Sequence, residues 1–340
     1  TFSVRDGFYG LDTRDTGDTW FPNEELIPSA SGGNDELMGG VGDDTLYGGG
    51  GLDSLLGNEG DDLLYGETGN DSIHGDEGND TLDGGTGADT LYGGDGDDSL
   101  LGSDGNDFLD GGFGADTLQG GSGQDTLEGA DGRDFLFGQT GDDILRGGAD
   151  ADYLDAGEGN DSIAGGSGDD VLRGGLGSDT LNGGAGTDTF IFTYAEFTSE
   201  HYDVIEDFES GVDGDALDFS DLHQNSIGLI GASELARNLP YSLGYIKLFQ
   251  QGDDVVVGYD RDGFDTAFRW VPVVRLSSVE LTDLTEANFS YVPENFQFLA
   301  PSDTPATGVL QMTGIAVERN VMEATLSELA DMDGETSISW

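Results

Sequence analysis

Aspartate recurs at every ninth position along nearly half of this 340-residue chain. The series is Asp35, Asp44, Asp53, Asp62, Asp71, Asp80, Asp89, Asp98, Asp107, Asp116, Asp125, Asp134, Asp143, Asp152, Asp161, Asp170, Asp179 and Asp188. A carboxylate can act as an acid, a base or a ligand. Acid–base work needs one or two groups whose surroundings set them apart, whereas many copies at one spacing share one environment and suit ligation of a hard cation. Calcium accepts about six to eight oxygens, from carboxylates and backbone carbonyls, in flexible geometry. No zinc or thiolate centre competes. There are no cysteines, and His74, His201 and His223 are far apart and in no HExxH pattern, which excludes a zinc-hydrolase site.

The aspartates sit in a repeat. From Gly39 to Ile191 the chain reads in nines without insertion or deletion, giving seventeen units such as GGVGDDTLY (39–47), GDEGNDTLD (75–83), GGFGADTLQ (111–119) and GGSGDDVLR (165–173), preceded by a degenerate unit at 30–38. The sixth position is always aspartate, and in the full units the eighth is Leu, Ile or Phe and the fourth is glycine except at Asp150. Glycines at the first and fourth positions are expected to take positive φ and close a six-residue turn. The remaining three residues form a short strand with the eighth side chain pointing inward. Two units complete one coil, so stacked coils make two parallel sheets about 4.8 Å per layer. Leu46, Leu64, Leu82 and Leu100 form a ladder in one, and Leu55, Ile73, Leu91 and Leu109 in the other.

A core one apolar residue deep per unit cannot hold such a structure by itself. The charge makes matters worse: 70 acidic residues against 11 basic ones give a net charge of -59. Low hydrophobicity with that charge describes a disordered chain, which is the expected state without metal. Turns eighteen residues apart lie over one another, Asp44 over Asp62 and Asp62 over Asp80. Eighteen aspartates paired at that spacing allow at most 16 shared sites, and 16 divalent ions would cancel 32 of the 59 negative charges. The same charge excludes nucleic acid and anionic lipid as partners.

Units such as GGTGADTLY (84–92) resemble the GGxGxDxUx nonapeptide of RTX proteins, the hemolysin-type calcium-binding repeats. The resemblance implies an all-β fold, a right-handed parallel β-roll with calcium between turns, and type I secretion from a Gram-negative bacterium to the extracellular space or cell surface. Departures are local. Asp150 replaces a fourth-position glycine, Ala156 a first-position glycine, and Asn58, Glu67, Asp76, Ser103, Ala130 and Gln139 stand at second positions. Weaker binding is expected near Asp150, without a break in the roll.

After Ile191 the period stops. Residues 188–222 and the hairpin pattern GYIKLFQQGDDVVVGYDRDG (244–263) suggest strands. Residues 192–292 resemble the C-terminal cap of type I secreted RTX proteins, and a solenoid end needs a cap. Asp260, Asp262 and Asp265 form either a further calcium loop or a solvated acidic hairpin loop. Residues 293–308 read as a linker, and 309–340 resemble the opening strands of a bacterial immunoglobulin-like repeat. Residues 1–29 are read as the end of an upstream domain or a cap for the first coil. The start at Thr1 and the end at Trp340 lead us to expect a piece of a longer protein.

No apolar run reaches the length of a membrane span and residues 1–30 form no signal peptide. There is no GxSxG, HExxH or P-loop, so no catalytic constellation is assigned. His74 and Arg146 read as surface residues, and Tyr47, Tyr65 and Phe137 as exposed aromatics or a weak binding stripe. The favoured function is a non-catalytic, calcium-dependent folding and secretion module of a surface or adhesin-like protein. The alternative is the tail of a secreted protease, lipase or polysaccharide-modifying enzyme whose catalytic domain lies before Thr1.

Overall fold

A computed structural model describes residues 32–193 without a break. It also describes residues 10–11, 18–20, 202–211, 214–219, 245–260, 270–280, 283–284, 288–291, 297–299, 309–311, 327–330 and 336–339. The chain forms two compact units, Thr1–Asp188 and Thr189–Trp340. Among the described residues no helix is long and apolar enough to cross a membrane.

In the first unit every nonapeptide makes one strand and one turn. The strands Ser72–Glu77, Thr90–Asp95 and Phe108–Phe113 lie side by side in one parallel sheet, and Thr81–Thr86, Ser99–Asp104 and Thr117–Ser122 in a second. Partners are eighteen residues apart throughout. Leu82 pairs with Leu100 and Leu100 with Leu118, while Ile73 pairs with Leu91 and Leu91 with Leu109. The eighth-position side chains from Leu37 to Leu181 are buried and stack as the two expected ladders. The result is a parallel β-solenoid, as the nine-residue period predicts.

The division of the unit differs from the expectation. Strands run six residues, from the seventh position through the third position of the next unit, or seven at Thr45–Gly51 and Leu63–Gly69, and leave little more than the fourth to sixth for the turn. Positive φ falls at the second and fourth positions: Gly112 has φ 104° and Gly114 134°, whereas Gly111 at the first position is not among the positive-φ residues. The side chains at second positions adopt the same hand, with Asn58, Glu67, Asp76, Ser103, Ala130 and Gln139 at φ 70–81°. An L-residue held there costs about 1–2 kcal/mol, which the fixed register of the flanking strands absorbs.

Asp150 keeps the turn but alters it. Its φ is 72°, against 104–154° for the fourth-position glycines from Gly42 to Gly186. The cross-layer bond from the Gly132 N–H to the Ala149 carbonyl beside it is 3.3 Å, where the equivalent bonds from Gly114 and Gly141 are 2.9 and 2.8 Å. The strand Tyr153–Glu158 that follows pairs in the unchanged register.

The flank before the repeat continues the stack. Asp18–Trp20 pairs in parallel with Glu36–Val41, Thr19 with Leu37 and Trp20 with Met38, again eighteen residues apart. Gly10–Leu11 runs antiparallel to Asp18–Trp20. The described part of this flank therefore adds a strand to the first layer.

In the second unit Thr189–Ile191, Ala216–Asp218 and Phe289–Tyr291 pair in parallel. The expected hairpin is present: Tyr245–Gln251 returns as Asp254–Asp260 and continues antiparallel to Trp270–Leu276. Asn288, fully buried, fastens the segment 209–215 by accepting the Gly211 N–H (3.1 Å) and donating to the Asp215 carbonyl (2.8 Å). The proposed ligands Asp262 and Asp265, the side chain of Asp260, the linker 293–308 and His201 and His223 lie outside the described residues, as does most of 309–340.

The ladders set a scale for mutation. Leu109 is wholly buried and Leu63 lies on the outer face. Leu109→Ala should cost about 2–5 kcal/mol and Leu63→Ala within about 0.5 kcal/mol, measured as the difference in denaturant unfolding in calcium-containing buffer.

Candidate metal centre

The sixth-position aspartates are where the turns bring charge inside. All eighteen, from Asp35 to Asp188, are buried, none more than 7% exposed. The cause is local: the seventh residue begins a strand with its side chain out, so the sixth and eighth side chains both face in. Asp107 illustrates how each is held. Its N–H donates to Asp125 Oδ1 at 2.8 Å, its own Oδ1 accepts the Asp89 N–H at 2.8 Å, and its carbonyl accepts the Thr126 N–H at 2.8 Å. The same N–H to Oδ1 bond joins every aspartate eighteen residues apart from Asp35–Asp53 to Asp170–Asp188, at 2.7–3.0 Å. The stacking expected from the period is thus present along the whole array.

Three of the four polar groups of each aspartate are spent in this way. The fourth, Oδ2, is buried and accepts no hydrogen bond at Asp53, Asp62, Asp71, Asp80, Asp89, Asp98, Asp107, Asp116, Asp125, Asp134, Asp143, Asp152, Asp161 and Asp170. A buried carboxylate oxygen without a donor is costly. At several positions a second acceptor lies close by, across the layer. A methyl group placed on Gly102 would meet Asp107 Oδ2 at 2.5 Å and the Gly120 carbonyl oxygen at 2.6 Å; on Gly48 it would meet Asp53 Oδ2 at 2.7 Å and the Gly66 oxygen at 2.9 Å. Two acceptors aimed at one small space, with no donor between them, fit a cation. This also explains the first-position glycine. It is required for room beside the carboxylate and not for positive φ.

Among the described residues no three His, Cys, Asp or Glu side chains converge as a metal cluster. Oδ2 atoms such as those of Asp53 and Asp107 lie beside a backbone carbonyl. The donor set is hard oxygen throughout, which fits calcium.

Burial pushes these carboxyl groups up from the usual 3.8, with the aspartates in the layers above and below adding repulsion at most of them. Asp62, Asp71, Asp98, Asp125, Asp152 and Asp161 rise to about 7, and Asp80, Asp107, Asp116 and Asp134 to about 6, against the lowering effect of the N–H bond each accepts.

A second ladder went unread in the sequence. Fifth-position Asp and Asn side chains accept the fifth-position N–H one coil later: Asp61 from Asn79 (2.9 Å), Asn79 from Asp97 (2.8 Å), and Asp142 from Asn160 (2.8 Å). It is exposed and runs in the opposite sense to the inner one. The frequent Asp or Asn at the fifth position was its only sequence signal.

The outer faces carry no comparable convergence. Arg146 pairs with Glu128 at 2.8 Å, and His74 stacks on Tyr92 with ring centroids 4.7 Å apart. Tyr47 and Tyr65 stack at 4.9 Å. Phe137 lies beside Tyr153 instead, four layers beyond Tyr65 in the same sheet. The three do not form one stripe.

The raised carboxyl groups set the sign of a pH effect. A folded-state pKa above the unfolded value means that the roll without metal holds protons more tightly than the open chain. The resulting stability is complete below about pH 4 and is lost as pH rises through about 6 to 7. In excess chelator, circular dichroism should therefore show β-structure gained as the pH is lowered from about 8 to about 5. An unchanged spectrum would contradict the burial of these groups.

The family model agrees with the repeat. Residues 29–64, 56–91, 92–127, 128–163 and 155–190 each match the family model of the RTX calcium-binding nonapeptide repeat in four copies. Curated proteins returned no match. Among solved structures, the chain is similar to a subunit of the mannuronan C5-epimerase of Azotobacter vinelandii, studied in solution, at 21% identity and a TM-score of 0.22, over 67% of this chain and 94% of that one. Residues 29–190 belong to the RTX calcium-binding nonapeptide repeat family.

Proposed function

We propose that residues 30–191 are a calcium-driven folding module of a secreted surface or adhesin-like protein, and that the eighteen sixth-position aspartates are its ligands. The observation that carries the reading is the run of buried Oδ2 atoms from Asp53 to Asp170, which accept no hydrogen bond and several of which, as at Asp53 and Asp107, lie beside a carbonyl of the neighbouring coil. A positive ion between coils satisfies both oxygens, removes the repulsion along the column, and joins adjacent layers. Up to about 16 ions follow from the pairing of aspartates one coil apart. No residue is assigned a catalytic role, because every carboxylate in the array is held in the same way.

The low-calcium state supports export. With a net charge of -59, a chain kept at micromolar calcium or below stays open and can thread a type I channel. Outside the cell, calcium near 10⁻⁴ to 10⁻³ M, roughly the affinity range of extracellular modules, converts binding energy into folding energy. In this reading the β-rich segment 192–292 serves as the secretion-associated cap.

Calcium titration followed by circular dichroism at neutral pH tests the central claim. Little β-structure is expected in chelator, with a cooperative gain on the order of 10⁻⁴ to 10⁻³ M calcium. β-Structure that persists unchanged in excess chelator at neutral pH would overturn the reading. A ligand shared between coils also makes position matter. Asp107→Ala should raise the calcium midpoint more than Asp35→Ala, since Asp107 has neighbours of its own kind on both sides and Asp35 on one; equal effects would show that ligation is not shared.

A further inference from the structure

The first position of the unit is glycine in sixteen of the seventeen units, and Ala156 is the exception. Elsewhere an added methyl at this position would intrude on the space between a carboxylate Oδ2 and the next coil's carbonyl oxygen, as at Gly138, where it would lie 2.5 Å from Asp143 Oδ2 and 2.6 Å from the Ala156 oxygen. Ala156 carries that methyl and is completely buried. The strand register and the ladder are unchanged around it. Gln139 pairs with Gly157 and Gly157 with Gly175 in the common register, and Asp161 keeps both ladder bonds, accepting the Asp143 N–H at 2.7 Å and donating its own N–H to Asp179 Oδ1 at 2.9 Å. By that register, Asp161 Oδ2 and the Gly174 carbonyl are the pair that the methyl adjoins.

We infer that Ala156 closes one position of the array, so that the layer carrying Asp161 is a gap that calcium does not fill when the neighbouring layers are full. The inference rests on the calcium reading above and concerns only where along the roll the ions stand. Its consequence is a division of the column into a long segment before the gap and a short one after it. The altered turn at Asp150 belongs to the other column, in which Asp134, Asp152 and Asp170 keep their ladder bonds. Stacking cooperativity passes between touching layers in a solenoid, and the layer of Asp161 lacks the shared ion of its column, so the stretch around it orders at a higher calcium concentration than its neighbours.

The test uses the full chain and calcium itself. Ions bound per chain are counted by equilibrium dialysis at saturating calcium, and hydrogen exchange of residues 156–164 is followed at partial loading. Ala156→Gly should bind about one ion more than the parent chain, and its residues 156–164 should gain protection at the same calcium concentration as their neighbours. Gly102→Ala, which places the same methyl in the long segment, should bind about one ion fewer and expose a new late-loading stretch. On backbone entropy alone, Ala156→Gly would loosen this strand, so the direction of the exchange result separates the two causes. An unchanged ion count in Ala156→Gly together with equal or lower protection overturns the inference while leaving calcium binding intact. Absence of calcium binding by the parent chain overturns the proposed function itself.

Discussion

A carboxylate buried in every turn is the constraint around which this solenoid is organised. Each sixth-position aspartate is fixed by its N–H, its carbonyl and Oδ1, so it cannot swing out to water. Its remaining oxygen is left facing another acceptor. One such group would be a local defect. A column of them, with pKa values raised toward neutrality, makes the fold conditional on something that supplies positive charge. Under the proposed function, protons would serve at low pH and calcium at neutral pH, both at the same atom.

The apolar core explains why this condition is not overridden. Each unit buries one Leu, Ile or Phe, stacked in two ladders. That is enough to set register, since a slip of one residue would turn every Leu outward and every aspartate with it. It is small compared with the entropy of ordering nine residues, one third of them commonly glycine. The sheets therefore specify which structure forms, and under the proposed function the ligand decides whether it forms. The outer Asx ladder and the Arg146–Glu128 pair add bonds between layers at exposed positions, where such contacts contribute little.

Much of this was legible in the sequence because a strict period converts one-dimensional spacing into stacking. Asp44 over Asp62, or Leu91 over Leu109, follows from the period as soon as two units make a coil. What was not legible is how a unit is apportioned between strand and turn. Glycine signals backbone freedom and small size alike, and the letter does not say which is needed. The first-position glycines were read for positive φ, yet there the absent side chain is what counts. The strand Asp18–Trp20 escaped notice for a related reason. It stacks in the register of the repeat without bearing the repeat's residues, so only backbone pairing reveals it.

The substitutions within the repeat separate these two uses of glycine. Second positions are held at positive φ, yet Asn58, Glu67, Asp76, Ser103, Ala130 and Gln139 all stand there. Fourth positions combine positive φ with close approach to the previous coil; a methyl on Gly114 or Gly132 would fall against the carbonyl below, and only Asp150 replaces the glycine, at a different φ. First positions need no unusual backbone angle, yet only Ala156 departs from glycine. If conformation were the main constraint, the second position would be the strict one. The order is reversed, because backbone strain of about 1–2 kcal/mol stays confined to one residue, whereas a methyl beside Oδ2 fills space on which two coils and their ligand depend. The nonapeptide is therefore shaped by the room its carboxylates require as strictly as by the bend of its turns.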